Sequence, residues 1–277
     1  MTPVDPGASL PPAHQKALSR AVDRLENAAF AKRLAEFAGQ PIDRALLRLP
    51  RPLRAALERS VEKAVLRCLQ VALTSLKSAP NRAPKTRLST LVAGVSGGFG
   101  GVLGAAGLTI ELPLTTILML RAIADIAHHH GEDLSTLEAR LACVEVFALG
   151  AGSQKGRSDV GYYASRAMLA RASSDAVGFV AERGLIGAST PIVGQFVGEV
   201  SARFGLVVSE RLAASALPIV GALGGAAANA IFMHHFQELA HGHFVIRRLE
   251  RIHGRDVVER SYSHISNRVR PAAFEDS

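Results

Sequence analysis

The chain has 277 residues, of which 48% are hydrophobic and 20% are charged, so it can bury a sizeable core and is not disordered. Aromatic residues make up only 5% and tryptophan is absent, while alanine and glycine supply much of the apolar content. Because strands are rich in aromatic and β-branched residues, this composition favours closely packed helices over a sheet. The two cysteines, Cys68 and Cys143, are too few for a disulfide framework and are predicted to be buried, reduced thiols.

The net charge of +8 is concentrated at the N-terminal end. Residues 1–90 hold 16 Lys/Arg against 7 Asp/Glu (+9), residues 91–240 hold 9 against 12 (−3), and residues 241–277 hold 7 against 5 (+2). Such a basic region suits anionic lipid headgroups or nucleic acid, or it is a solvated helical face. Nucleic acid ranks last among these partners, and none is predicted, because the basic residues are not interleaved with aromatic ones. The first residues lack the pattern of a signal peptide, so we expect a cytoplasmic protein.

The first third of the chain is predicted to be a disordered end followed by basic helices. Residues 1–13 are proline-rich and are expected to be disordered. Apolar residues recur at helical spacing over residues 14–37 and again over residues 53–76, with basic residues between them. Residues 14–87 are therefore predicted to form basic amphipathic helices.

Three apolar stretches rich in glycine and alanine follow. The first begins at Leu88, has no charged residue before Glu111, and contains seven glycines at short spacing. Each glycine inside a helix costs roughly 1 kcal/mol relative to alanine. A helix with seven glycines is therefore expected only where neighbouring backbones approach closely. Similar stretches cover residues 184–198 and 212–233. The prediction is an all-α, multi-helix domain with glycine/alanine-rich helical hairpins at its centre.

Two of these stretches, residues 88–119 and 212–233, approach the roughly 20 apolar residues that span a bilayer. The first is interrupted by its glycines, and the second by Pro218 and Asn229. Buried core helices, or shallow hairpins in a membrane interface, are therefore predicted in preference to transmembrane helices.

The second half of the chain predicts further helices. Ser135 and Glu138 have the spacing of a capping box, in which the Ser135 hydroxyl accepts from a free backbone amide. The helix that starts there is expected to end at Gly150, where a small polar loop begins. Other helices are predicted over residues 162–171, 175–182 and 236–255, and residues 261–277 form a polar tail.

Two motif matches do not support catalysis. Residues 94–98 read G-x-S-x-G, the pattern of a hydrolase nucleophile elbow, but that elbow needs a preceding strand and none is predicted. Residues 150–156 lack the Walker spacing of a phosphate-binding loop. The protein is therefore predicted not to be an enzyme, and to have no catalytic residues and no cofactor.

A metal site is the alternative that the polar residues leave open. The candidate ligands are Glu111, Asp125, Glu145, Glu238 and His241. Glu238 and His241 have the i, i+3 spacing that di-iron helical bundles use. The favoured interpretation is structural: residues 128–130, all histidines, close the central helix where its dipole favours cations, and Arg121 and Asp125 pair across one turn as a structural lock.

Two blocks of the chain resemble the EcsC family over roughly residues 50–260. The first comprises Gly107-Leu108, Glu111-Leu112-Pro113, Thr115-Thr116, residues 120–127, residues 131–134 and residues 140–150. The second comprises residues 218–222, Gly224-Gly225-Ala226, Asn229, residues 235–237, residues 242–244 and residues 247–250. The chain departs from the family pattern at His234, where the family has an acidic residue, and at His241, where it often has arginine. The resemblance thus gives no support to a Glu238–His241 metal motif and defines residues 88–260 as the EcsC-like helical core.

The resemblance implies a bacterial helical protein at the inner face of the cytoplasmic membrane, linked to an ABC transporter or to secretion, and it supplies no active site. The leading hypothesis is a non-enzymatic accessory protein that is bound peripherally to an anionic membrane surface or to a membrane protein. The basic N-terminal helices would make electrostatic contact, and the glycine-rich elements would insert or pack. The alternatives are a metal-binding helical enzyme and a soluble helical scaffold without membrane contact.

Overall fold

The computed structural model describes residues 10–26, 51–75, 112–150, 161–183, 191–215 and 222–269. All regular secondary structure in these ranges is helical, which confirms the predicted all-α class. The helices are α1 (Pro12–Glu26), α2 (Arg51–Ser75), α3 (112–129), α4 (Leu137–Leu149), α5 (Tyr162–Arg183), α6 (Pro191–Ser215), α7 (Ala222–His253) and α8 (Arg255–Val269).

Helix α7, with 32 residues, links two groups of helices. Helices α1 and α8 pack against α7 and against each other. Helices α4 and α6 also contact α7, and both α2 and α5 pack against α4 and α6. The two basic helices, α1 and α2, therefore pack against different neighbours.

The main hydrophobic core is centred on phenylalanines from α4, α6 and α7. The Phe147 ring lies 5.0 Å from that of Phe204 and 5.5 Å from that of Phe236, measured between centroids, and all three side chains are fully buried. Burying a side chain of this size contributes roughly 1.5–3 kcal/mol. Cys68 and Cys143 are free thiols buried in the same core, as predicted, and burial raises the pKa of both.

The N-terminal helices are placed close to their predicted positions. Helix α1 starts at Pro12, where the missing N–H of proline leaves no helical hydrogen bond unmade, and Leu10 before it is already buried. The described structure therefore begins inside the segment that was expected to be disordered. Helix α2 is within two residues of its expected bounds. Residues 1–9 and 27–50 lie outside the described residues.

The start of α4 differs from the predicted capping box. The N-cap is Thr136, whose Oγ1 accepts a hydrogen bond from the Ala139 amide at 3.3 Å. The amide of Ser135 instead donates to Asp133 Oδ1 at 2.9 Å, in the turn that precedes the helix. The N-cap therefore lies one residue later in the chain than predicted.

Helix α5 replaces the two helices predicted over residues 162–171 and 175–182. Leu169, Ala172 and Ala176 are buried and follow one another at three- and four-residue spacing, so a single apolar stripe continues through the segment. No glycine or proline separates the two predicted pieces, and nothing in the backbone chemistry stops the helix there.

Part of the predicted polar tail, residues 261–269, is helical, and residues 270–277 lie outside the described ranges. Gly254, with φ of +84°, ends α7 and allows the chain to turn directly into α8. Val258 and Tyr262 on α8 are buried, and α8 packs against α1 as well as α7.

The glycine-rich stretches are only partly within the described ranges. Residues 88–111, 184–190 and 216–221 lie outside them. In the second stretch Pro191 is the first residue of α6, and the third contributes the end of α6 and the start of α7. Within the described part of the chain, no helix combines the length and the apolar character needed to cross a bilayer.

Candidate functional site

A row of basic side chains runs along the outer side of α2. Arg59, Lys63 and Arg67 are exposed and lie four residues apart, so they share one side of the helix. We call these three residues the α2 basic ridge. Like charges at this spacing destabilise a helix by roughly 0.2–0.5 kcal/mol per pair, so helix stability does not explain the ridge. Glu58 and Glu62 lie beside it and only partly offset its charge.

Helix α1 repeats the basic spacing but uses it differently. Lys16 and Arg20 are exposed, whereas the Arg24 Nε lies 3.2 Å from Glu238 Oε2 on α7. One member of the α1 row thus helps to dock α1 on α7. Because α1 and α2 have different neighbours, the two described basic helices do not pack as a single unit.

Two histidines join the end of α3 to α7. His130 Nε2 lies 3.2 Å from His241 Nδ1. Burial lowers the pKa of His130 to about 4, and the neighbouring His241, His129, Arg248 and Arg24 act in the same direction. Burial also lowers the pKa of His241. Both rings are therefore neutral at pH 7, and one ring nitrogen donates to the other.

The described residues do not bring the candidate metal ligands together. Glu238 and His241 are engaged with α1 and α3 as described above, and Glu145 lines a cleft against other helices. Asp125 is half-buried on α3, and Glu111 lies outside the described ranges. Within those ranges there is no group of three or more His, Cys, Asp or Glu side chains that could hold a metal ion.

Arg121 and Asp125 are electrostatic neighbours at the edge of the core. Arg121 is exposed, and Asp125 is half-buried. Burial raises the pKa of Asp125, while the charges of His128 and Arg121 partly oppose that rise. The predicted pair thus lies where one partner is solvated, which limits its strength as a lock.

A buried carboxylate after α3 holds two arginines of α7. Glu132, whose side chain is 4% exposed, accepts hydrogen bonds from Arg247 Nε at 2.9 Å and from Arg247 Nη2 at 3.0 Å. Arg251 Nη1 also donates to Glu132 Oε1. Burial alone would raise the pKa of Glu132, but the hydrogen bonds and charges of the two arginines outweigh it, and the pKa lies below its usual value. Glu132 is therefore ionised at neutral pH.

All three tyrosines of the chain meet in a second cluster formed by α5, α7 and α8. The ring centroids of Tyr162, Tyr163 and Tyr262 lie 5.2–5.4 Å from one another. The Tyr163 hydroxyl donates to Glu250 Oε1 at 2.9 Å, and the Tyr162 hydroxyl lies 2.9 Å from Nδ1 of the fully buried His243. This cluster fixes the position of α5 relative to α7.

Between these two networks lies a cleft of about 280 Å³, which we call the α4–α5 cleft. It is lined by Glu138, Ala142, Glu145, Arg166, Ala170, Ser173, Ser174, Val177, Arg247 and Arg255. The small side chains of Ala142 on α4 and Ala170 on α5 leave space between the larger lining residues. The lining combines three guanidinium groups, two carboxylates and two hydroxyls.

Two of the three arginines of the cleft, Arg166 and Arg247, are held from behind by carboxylates. Arg166 Nη1 donates to Glu250 Oε1 at 2.7 Å, as Arg247 does to Glu132. The side chains of Arg166 and Arg247 are only 15% and 16% exposed. Each guanidinium group has five N–H donors, and the contacts to the glutamates use only some of them. The cleft can therefore offer fixed positive donors to a ligand.

Sequence reasoning missed these residues because their partners are more than 80 positions apart. The blocks that resemble the EcsC family contain Glu132, Arg247 and Glu250, but the resemblance gives them no role. A signal was available in α7, where Arg247 and Glu250 follow the apolar residues 244–246 and must be paired if they are buried.

No curated protein and no solved structure was found to match this chain. A model of the EcsC protein family matches residues 10–249. The match includes both basic helices, and it covers the core predicted over residues 88–260 as far as residue 249. It extends over most of the chain, and the protein therefore belongs to the EcsC family.

Proposed function

We propose that this protein is a non-enzymatic accessory protein that binds peripherally to an anionic membrane surface, and that α2 provides the first contact. The observation that carries the proposal is the α2 basic ridge, a row of like charges that is exposed along one side of a helix whose other side is packed. From the resemblance to the EcsC family we further propose that this membrane is the inner face of the cytoplasmic membrane. The membrane protein that it assists would be one such as an ABC transporter.

The charge around α2 supports this assignment. Residues 51–87 contain nine Lys/Arg against two Asp/Glu. Each basic residue near an anionic surface contributes about 1 kcal/mol, and the attraction extends about 8–10 Å at physiological salt. The inner side of α2 is occupied by Val61, Ala64, Cys68 and other buried residues, so the ridge is free to face a surface.

The residues that follow in sequence fit the same role. Residues 88–110 carry no charge and are rich in glycine and apolar side chains. A basic segment followed directly by an apolar one matches the order of headgroups and hydrocarbon that a membrane surface presents. Electrostatic attraction through α2 would bring the chain to the surface and place residues 88–110 beside it.

Vesicle co-sedimentation tests the proposal. We expect the full-length protein to bind vesicles that contain phosphatidylserine or phosphatidylglycerol at low salt, and to bind phosphatidylcholine vesicles much more weakly. Replacement of Arg59, Lys63 and Arg67 by glutamine should remove about 3 kcal/mol of attraction, which is roughly a hundredfold in affinity.

A matched control separates a specific surface from total charge. Replacing Arg171, Arg260 and Arg268 by glutamine gives the same change in net charge at exposed positions on α5 and α8. This control should bind within a few-fold of the unmodified protein. Equal losses in the two triple variants would rule out α2 as the contact, and no binding to any anionic vesicle would refute the membrane assignment.

A further inference from the structure

We infer that the α4–α5 cleft is a binding site for a small zwitterion, which carries a phosphate or carboxylate at one end and an ammonium group at the other. This inference concerns a different part of the molecule from the α2 basic ridge and does not depend on membrane binding. It rests on the charges of the lining residues, on how those charges are held, and on the size of the cleft.

The lining residues carry both signs of charge in one small volume. Arg166, Arg247 and Arg255 contribute positive charge, and Glu138 and Glu145 contribute negative charge. Glu132 and Glu250, which pair with the arginines from behind, bring the sum of these seven charges to −1. A simple anion would meet the two carboxylates of α4, and a simple cation would meet the arginines. A ligand with both charges satisfies both sets.

The two ends of the ligand have different partners. Glu138 and Glu145 are seven residues apart on α4 and face the cleft from the same side of that helix. Glu138 is 75% exposed and lies 3.6 Å from Arg247 Nη2, which makes it a weak partner at the rim. The ammonium group would lie near these carboxylates. The anionic group would accept from Arg166 and Arg247, with the hydroxyls of Ser173 and Ser174 close by.

The arginines are already fixed in position for this role. Burial opposes the charge of Arg166 and Arg247, but their hydrogen bonds and attraction to Glu250 and Glu132 outweigh it, and the pKa of each lies above its usual value. Their charge is therefore constant over the physiological pH range. Since the side chains are held before a ligand arrives, little conformational entropy is lost on binding.

The volume of the cleft limits the ligand to a small molecule. At about 280 Å³ it lies just below the range of roughly 300–1,000 Å³ that drug-sized ligands occupy. A headgroup-sized zwitterion such as phosphoethanolamine, or an amino acid such as β-alanine, is of suitable size. The same chemistry is found in free metabolites and in the headgroup of phosphatidylethanolamine.

Isothermal titration calorimetry on the full-length protein tests the inference with defined probes. Phosphoethanolamine and β-alanine are the zwitterions, and inorganic phosphate, acetate and ethanolamine carry one charge each. We expect at least one zwitterion to bind about tenfold or more tightly than every single-charge probe at equal ionic strength. Equal binding of phosphate or acetate, or no binding by either zwitterion up to about 10 mM, would overturn the inference.

Variants connect binding to the cleft and distinguish the source of the ligand. Glu145→Gln should weaken binding of the zwitterion about tenfold. It should not weaken binding of phosphate, because it removes a like charge from the cleft. Glu199→Gln, at an exposed position on α6, should change neither. An unchanged zwitterion affinity in Glu145→Gln would contradict the assignment. Competition between free phosphoethanolamine and vesicles that contain phosphatidylethanolamine identifies a lipid headgroup as the ligand, while binding of the free zwitterion alone identifies a metabolite.

Discussion

The contact between α1 and α7 depends on the absence of a side chain at Gly242. A Cβ atom at this position would lie 2.8 Å from Leu25 Cγ and 3.1 Å from the backbone oxygen of Ala21, both on α1. The Leu25 side chain can rotate, but the Ala21 carbonyl belongs to the helix backbone and cannot move without shifting α1. Gly242→Ala should therefore push α1 away from α7.

The expected free-energy change follows from two opposing effects. Alanine in place of glycine favours the helix by about 1 kcal/mol, while overpacking of a close contact costs about 1–3 kcal/mol. Gly198 on α6 provides the matched control, because a Cβ there meets no atom within 4 Å. Gly198→Ala should raise the free energy of unfolding by about 1 kcal/mol, and Gly242→Ala should fall below it by about 1–3 kcal/mol.

Urea unfolding measures both variants, and hydrogen exchange reports where the structure loosens. Faster exchange in Gly242→Ala should be confined to α1 and to the residues of α7 that it covers. Adding Leu25→Ala should recover part of the loss, because it removes two of the three close contacts, with a coupling energy of about 1 kcal/mol. If Gly242→Ala were as stabilising as Gly198→Ala, the close packing of α1 on α7 would be refuted.

Two further predictions concern ionisable groups. Because the pKa of His130 is about 4 in the folded protein against an ordinary 6.5, the unfolded chain binds more protons below about pH 6.5. The free energy of unfolding should therefore fall by up to about 2 kcal/mol between pH 7 and pH 4, after allowance for solvent screening. In urea unfolding, His130→Gln should make the free energy of unfolding depend less steeply on pH. An equal pH dependence in both proteins would contradict the assignment to His130. Glu132→Gln should lower the free energy of unfolding by about 3 kcal/mol because Arg247 loses the charge of its buried partner, whereas Glu199→Gln, at an exposed site, should change it by less than about 0.5 kcal/mol. Similar losses in these two variants would show that the Glu132 network contributes little.

The helices could be predicted from the sequence wherever an amphipathic period was regular. The apolar repeat of α2 gave its bounds to within two residues, and Gly150 marked the end of α4. Thr136 is the N-cap in place of Ser135, and Asp133 accepts from the Ser135 amide, which Glu138 would accept from in a capping box; spacing alone does not resolve this choice. The sequence pattern predicts two helices in place of α5, because residues 172–174 (Ala-Ser-Ser) carry no large apolar side chain.

The α4–α5 cleft could not be predicted because its chemistry comes from contacts between distant parts of the chain. Glu132 and Arg247 are 115 positions apart, and Arg166 and Glu250 are 84 apart. Their pairing depends on how α7 packs against the end of α3 and the start of α5, which no periodicity encodes. For Glu238 and His241, by contrast, the spacing on one helix predicts a shared metal site that the described residues do not form. In the structure Glu238 pairs with Arg24 of α1, and His241 contacts the His130 ring.

Membrane fractionation of the untagged protein in its host cells tests the central claim most directly. A peripheral protein attracted through α2 should sediment with membranes at low salt and be released by a high-salt wash, since exposed charges are then screened. Retention through both high-salt and alkaline carbonate washes would contradict peripheral attachment and would indicate insertion into the bilayer. Protein that stays in the soluble fraction at low salt would contradict membrane association altogether.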